Sequence, residues 1–168
     1  MPFRVGIGYD VHRFSCSPPE GGHIVVCGVE IAFHKGIEAH SDGDVGIHAL
    51  VDALLGCVGE GSIGEHFPNT DPRWQGMRSS HFLLEAQKRA LAKGYAMLNF
   101  DLTVVCEHPK IMPHVNRMKA FMSQLLNMDA SAMNVKAVTT EGLGFIGREE
   151  GIAAHAAVLC YRVSPATN

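Results

Sequence analysis

The chain has 168 residues, the length of one ordinary domain, and its 46% apolar content supplies a core of the usual size, which excludes a disordered or collagen-like polypeptide. A net charge of −3 argues against a nucleic-acid clamp or a polybasic membrane foot. That charge is uneven: residues 1–71 carry ten acids and three bases, residues 72–168 seven acids and eleven bases. One part suits cations and the other anions, although a solvated surface gives the same asymmetry by chance.

Residues 4–13 alternate with period two, which predicts a strand with Val5, Ile7, Tyr9 and Val11 on one side and Gly6, Gly8, Asp10 and His12 on the other. On the second side the two glycines leave space beside Asp10 and His12. Residues 24–31, rich in Val and Ile and broken at Gly28, suggest a hairpin. A helix is expected from Ser41, with Asp44 as its capping-box acid and a buried stripe of Ile47, Leu50, Val51, Leu54, Leu55 and Val58. A second helix spans 79–93 and closes at Gly94, a strand covers 100–106, and a third helix, 113–127, opens on a proline. Strands at 133–140 and 152–161 flank a glycine-rich loop. This order implies one domain over residues 1–168, a mixed sheet with helices packed on it, of α+β or α/β class. Gly142, Gly144 and Gly147 spell G-x-G-x-x-G, but the remaining chain is too short for a Rossmann unit.

The five cysteines are odd in number, widely spaced and without a C-x-x-C pair, as expected of thiols in a reducing compartment. No apolar stretch reaches the roughly 20 residues that span a bilayer, and the opening residues match neither a signal nor a transit peptide. A soluble cytoplasmic protein is the expectation.

Asp10 and His12, two apart on one strand, project from the same face roughly 7 Å apart at the backbone, a span suited to two ligands of one ion. The third ligand is assigned to the predicted helix, where Asp44, His48 and Asp52 recur every four residues, and His48 is the choice. Taken singly, these residues read more simply as an exposed edge pair and a histidine flanking a core. Together, two imidazoles and a carboxylate suit Zn2+ and leave its fourth position for water or substrate, as in a catalytic site.

G-Y-D-V-H-R-F (8–14), A-H-S-D-G-D-V (39–45), F-P-N-T-D (67–71) and T-T-E-G-L-G-F (139–145) occur in order, with P-K at 109–110 and E-G-I-A at 150–153. In this combination the chain resembles the 2-C-methyl-D-erythritol 2,4-cyclodiphosphate synthase family over nearly its whole length. The resemblance implies a ferredoxin-like mixed sheet with helices on one face, a homotrimer with active sites shared between neighbours, and a role in non-mevalonate isoprenoid synthesis. It implies conversion of a cytidine diphosphate ester, 4-diphosphocytidyl-2-C-methyl-D-erythritol 2-phosphate, to the cyclic diphosphate and CMP. Asp10, His12 and His48 match the zinc ligands, His40 and Thr139 the catalytic positions, and Glu141 the ligand of a second divalent cation, Mg2+ or Mn2+. Ser41 matches a contact to the erythritol phosphate, and a helix N-terminus behind it is itself a favourable anion site.

Further substrate contacts are implied along three segments. Ser62, Ile63 and Gly64, with Phe67, Pro68, Asn69, Thr70 and Asp71, match the erythritol end. Cys106, Glu107, His108, Pro109, Lys110, Ile111 and Met112 match the nucleotide segment, and Val138 and Thr140 flank Thr139 at the diphosphate. Phe145, Arg148 and Glu150 match residues lining a central cavity for isoprenoid diphosphates. Three positions depart from the family pattern: Ser62 replaces the usual Asp, Asn69 another Asp, and Gly142 a frequent Lys. A zinc phosphodiesterase and a non-enzymatic binder of isoprenoid diphosphates are the rival functions of the same residues.

Overall fold

The alternation at the start of the chain forms β1 (Phe3–Ser15), whose Gly6 and Gly8 are buried while Val5 and Ile7 remain 67% and 77% exposed. The computed structural model describes residues 2–17 and 22–163. A five-stranded sheet joins β1 to β4 (Gly36–Glu38), β5 (Tyr95–Val105), β6 (Met133–Val138) and β7 (Gly151–Arg162) in the order β4-β1-β7-β5-β6. A separate antiparallel hairpin, β2 (His23–Val26) and β3 (Val29–Ala32), turns at Cys27 and Gly28, where the sequence places its break. Helices α1 (Val45–Val58), α2 (Ile63–His66), α3 (Ser79–Ala92), α4 (Val115–Leu126) and α5 (Gly144–Gly147) complete the fold.

On β7 the side chains of Ile152, Ala154, Ala156, Val158 and Cys160 are buried beneath the helices, whereas His155, Ala157 and Tyr161 are exposed. Helix α1 packs across β1, β7 and β5, with α3 against β5 and α4 against β6. The other sheet face is left uncovered by this chain, so Phe3, Val5, Ile7, Tyr9 and Val11 form an exposed apolar stripe. Among the described residues no helix is long and apolar enough to cross a membrane.

The mixed α+β architecture matches the expectation, but the ferredoxin-like label does not hold. Strands β1 and β5 flank the antiparallel β7, a split β-α-β unit, whereas the second crossover through α4 places β5 and β6 side by side and parallel. A ferredoxin-like β-α-β-β-α-β chain would follow a different element order. Helix α1 also starts later than expected. Asp44 is its N-cap, accepting from Ile47 N at 3.0 Å, and the left-handed backbone of Gly43 separates Ser41 from the helix. Ser41 is therefore not at a helix N-terminus. Strand β5 begins five residues earlier than predicted, and α4 is preceded by a 3-10 turn at Met112–His114. The short β4 and α2 carry too little periodicity to be predicted.

The space that Gly6 and Gly8 leave is filled by α1. A methyl group built on Gly6 would lie 1.8 Å from Ala53 O, and one on Gly8 1.9 Å from Ala49 O. Backbone packs on backbone here, so no side-chain rotation relieves a larger residue. Gly8→Ala is expected to destabilise the protein by about 3 kcal/mol, measured as a lowered urea midpoint, because α1 must move away from the sheet.

Candidate metal and substrate site

The close approach of α1 sets the position of His48. Strand β1 and α1 run in opposite directions: Gly6 faces Ala53 and Cys57, and Gly8 faces Ala49 and Ala53. Two strand residues rise about 6.6 Å and four helical residues about 6 Å, so the match continues, and Asp10 and His12 meet the first turn of α1. There His48 Nδ1 lies 3.0 Å from Asp10 Oδ2 and 3.0 Å from His12 Nε2, and His12 Nε2 lies 3.1 Å from Asp10 Oδ2. The three ligand atoms form a nearly equilateral triangle. Bond lengths of 2.0 to 2.1 Å to a tetrahedral ion would separate its ligands by about 3.3 Å, so the set fits such an ion with little adjustment. Among the described residues this is the one group of three such side chains able to hold a metal.

Burial alone would raise the Asp10 carboxyl, yet the His12 and His48 imidazoles beside it hold it well below the usual carboxylate range. It is therefore an anionic ligand at neutral pH. Behind the triangle, His48 Nε2 is 2.8 Å from Ser79 Oγ and 3.2 Å from Ser41 Oγ. The Ser79 hydroxyl in turn meets the Asp42 carboxylate.

In front of the triangle a cleft of about 530 Å³ is lined by Asp10, His12, His40, Ser41 and His48 on one wall. Ile63, Gly64, Phe67, Pro68, Asn69 and Thr70 form the other. A second groove, of about 110 Å³, gathers Cys106, Glu107, Pro109, Lys110, Ile111, Met112, Val138 and Thr139. It lies at the β6 edge, three strand spacings or roughly 14 Å from β1. The metal cleft and this groove share no lining residue.

The YgbB family profile matches residues 3–161. The chain belongs to the YgbB family. The 2-C-methyl-D-erythritol 2,4-cyclodiphosphate synthase of Anaplasma marginale (strain St. Maries) is 80% identical over 166 residues, covering 99% of this chain and 90% of the relative. That of Francisella tularensis subsp. novicida (strain U112) is 51% identical over 162 residues, covering 96% and 100% of the two chains. A solved structure of IspF from Plasmodium falciparum, a CDP complex, has a TM-score of 0.83 at 32% identity and covers 97% of this chain and 98% of that one. The YgbB chain is accordingly a lyase-type enzyme of the cyclodiphosphate synthase kind, acting in isoprenoid biosynthesis.

Several expected contact residues of this YgbB chain have other partners. Ser62 faces Glu65, whose Oε1 accepts from Ser62 N at 2.9 Å and Ser62 Oγ at 3.2 Å, so it caps α2 and does not line the cleft. Asp71 pairs with Arg73 at 2.6 Å and caps the 3-10 turn Pro72–Trp74. His108 turns away from the second groove toward Glu149, at 2.9 Å. Thr140 is held by Glu107 Oε1, which accepts from its backbone N at 2.9 Å and its hydroxyl at 3.1 Å. Glu141, with a left-handed backbone, is exposed, and its Oε1 accepts from Thr139 Oγ1 at 3.2 Å. Phe145 is 40% exposed, and Arg148 pairs with Glu150 at 2.7 Å.

Sequence reasoning missed Trp74 and Phe82, which line the metal cleft, and Asp42 and Ser79 behind it. Trp74 reads as a loop anchor and Ser79 as the first residue of a helix; nothing in their spacing points to the site. Burial pushes the Cys106 thiol up to about 11. At pH 8 roughly one molecule in a thousand then carries its thiolate. Brief iodoacetamide treatment at pH 8 is expected to label the exposed Cys16 and spare Cys106, as read by peptide mass spectrometry.

Proposed function

We propose that this enzyme cyclises 4-diphosphocytidyl-2-C-methyl-D-erythritol 2-phosphate to 2-C-methyl-D-erythritol 2,4-cyclodiphosphate with release of CMP, using Zn2+ held by Asp10, His12 and His48. The triangle of ligand atoms on the wall of a cleft that also carries His40 and Ser41 supports this reading most directly. An oxygen of the 2-phosphate forms a bond to the β-phosphorus, the bond from that phosphorus to its bridging oxygen breaks, and the oxygen leaves with CMP. Such a transfer needs positioning and charge neutralisation more than covalent help. A bound zinc ion supplies Lewis-acid polarisation of the phosphoryl oxygens. His40 and Ser41 orient the erythritol phosphate from the cleft wall, and the Ile63 to Thr70 segment excludes water along the methylerythritol. Thr139 offers its hydroxyl to the transferring phosphoryl group, and Glu141 would hold a second divalent cation, Mg2+ or Mn2+, which would offset phosphate charge.

The nucleotide groove around Lys110 lies too far from the metal cleft of the same chain for one substrate to engage both compactly. A homotrimer resolves this by setting one chain's metal cleft against its neighbour's groove, and the exposed stripe of Val5, Ile7, Tyr9 and Val11 supplies apolar surface for that assembly. In the same arrangement Phe145 and Arg148 would border a central cavity that accepts an isoprenoid diphosphate.

Phosphorus NMR of the purified enzyme with zinc and the cytidyl substrate should show CMP and a cyclic diphosphate, and His48→Ala should lower the rate roughly 1000-fold. Inorganic phosphate or a linear product would indicate hydrolysis instead. The shared site has its own check. His48→Ala and Lys110→Ala chains are each expected to be nearly inactive, yet an equimolar mixture with exchanged subunits should recover about a quarter of wild-type turnover, since one interface in four pairs two intact halves. A site contained in one chain recovers none.

A further inference from the structure

We infer that Asp42 and Ser79 act as positioning residues that fix the proton on His48 and thereby make its Nδ1 a metal ligand, an inference that rests on the metal reading of this site. The proton positions follow from the donors and acceptors present. A carboxylate only accepts, and that of Asp42 takes Ser79 N at 3.0 Å, Asp44 N at 3.2 Å and the Ser79 hydroxyl. With its hydrogen committed to Asp42, Ser79 Oγ offers His48 only lone pairs. The 2.8 Å contact between Ser79 Oγ and His48 Nε2 is therefore made by a hydrogen on Nε2.

In the neutral ring the other nitrogen, Nδ1, then carries a lone pair and points it at Asp10 Oδ2 and His12 Nε2, each 3.0 Å away. Two acceptor atoms thus face each other across one edge of the triangle. The single hydrogen that a neutral His12 can place on Nε2 satisfies only one of them, whereas a cation among the three satisfies all. Ser79 is fully buried, so water does not take over its role. The chain of contacts also links the loop before α1, α1 itself and the first turn of α3, which holds the imidazole in plane as well as in tautomer.

The test is metal affinity of the full chain, stripped of zinc and titrated in competition with a chromophoric chelator. Ser79→Ala is expected to weaken Zn2+ binding 10- to 100-fold and Asp42→Asn about tenfold, while Ser79→Thr, which keeps the hydroxyl, stays within about threefold of wild type. With Co2+, Ser79→Ala should reach the wild-type tetrahedral absorption bands only at correspondingly higher metal. Ser79→Ala and Asp42→Asn chains that bind zinc as tightly as wild type overturn the relay, even if urea shows a lowered unfolding midpoint for the metal-free protein. A wild-type chain without zinc affinity overturns the metal reading and the relay together. Should Ser79→Ala fail to fold, Asp42→Asn alone decides.

Discussion

The closeness of α1 to β1 governs everything else in this molecule. At Gly6 and Gly8 the helix backbone occupies the volume that a side chain would otherwise claim, and the alanines of β7 beneath α1 extend the same close packing. One turn further along, where the strand changes from glycine to Asp10 and His12, the same geometry delivers His48 to within hydrogen-bond distance of both. The metal cleft is thus the continuation of a packing contact. The three side chains that could hold a metal come from regular elements, which fix such a geometry more rigidly than loops do.

How much of this was legible in the residues depends on periodicity. The alternation of β1 and the apolar stripe of α1 placed Asp10, His12 and His48 on the correct elements and faces, because regular spacing translates directly into direction. Helix α3 and its terminal Gly94 were legible for the same reason. The start of α1 was not, since the S-D-G-D run offers several capping residues and only the left-handed Gly43 selects Asp44. The glycines of β1 show in the sequence as open space beside Asp10 and His12, but nothing in their spacing announces the helix that fills it.

The rest of the site belongs to tertiary contacts that no local pattern announces. Asp42 and Ser79 are separated by 37 positions, and each has an ordinary local explanation as a loop acid or an opening helix residue. The same holds for Glu107 and Glu149, which tie the nucleotide segment to the 139–142 loop and to Lys35. The family resemblance implies substrate roles for the motif residues, yet Ser62 and Asp71 show that a position inside a motif can be engaged with its own neighbours when its usual acid has changed or a base lies two residues on.

Asp44 carries a consequence beyond capping. Its buried carboxylate accepts from Cys27 N at 2.8 Å and Gly28 N at 2.6 Å as well as from Ile47 N, so the tip of the β2–β3 hairpin is riveted to the first turn of α1. The hairpin lies outside the main sheet, yet through these bonds its tip is tied to the turn that bears His48. An outlying ribbon of eight strand residues thereby anchors the turn that carries His48, so a change at its tip reaches the cleft through Asp44.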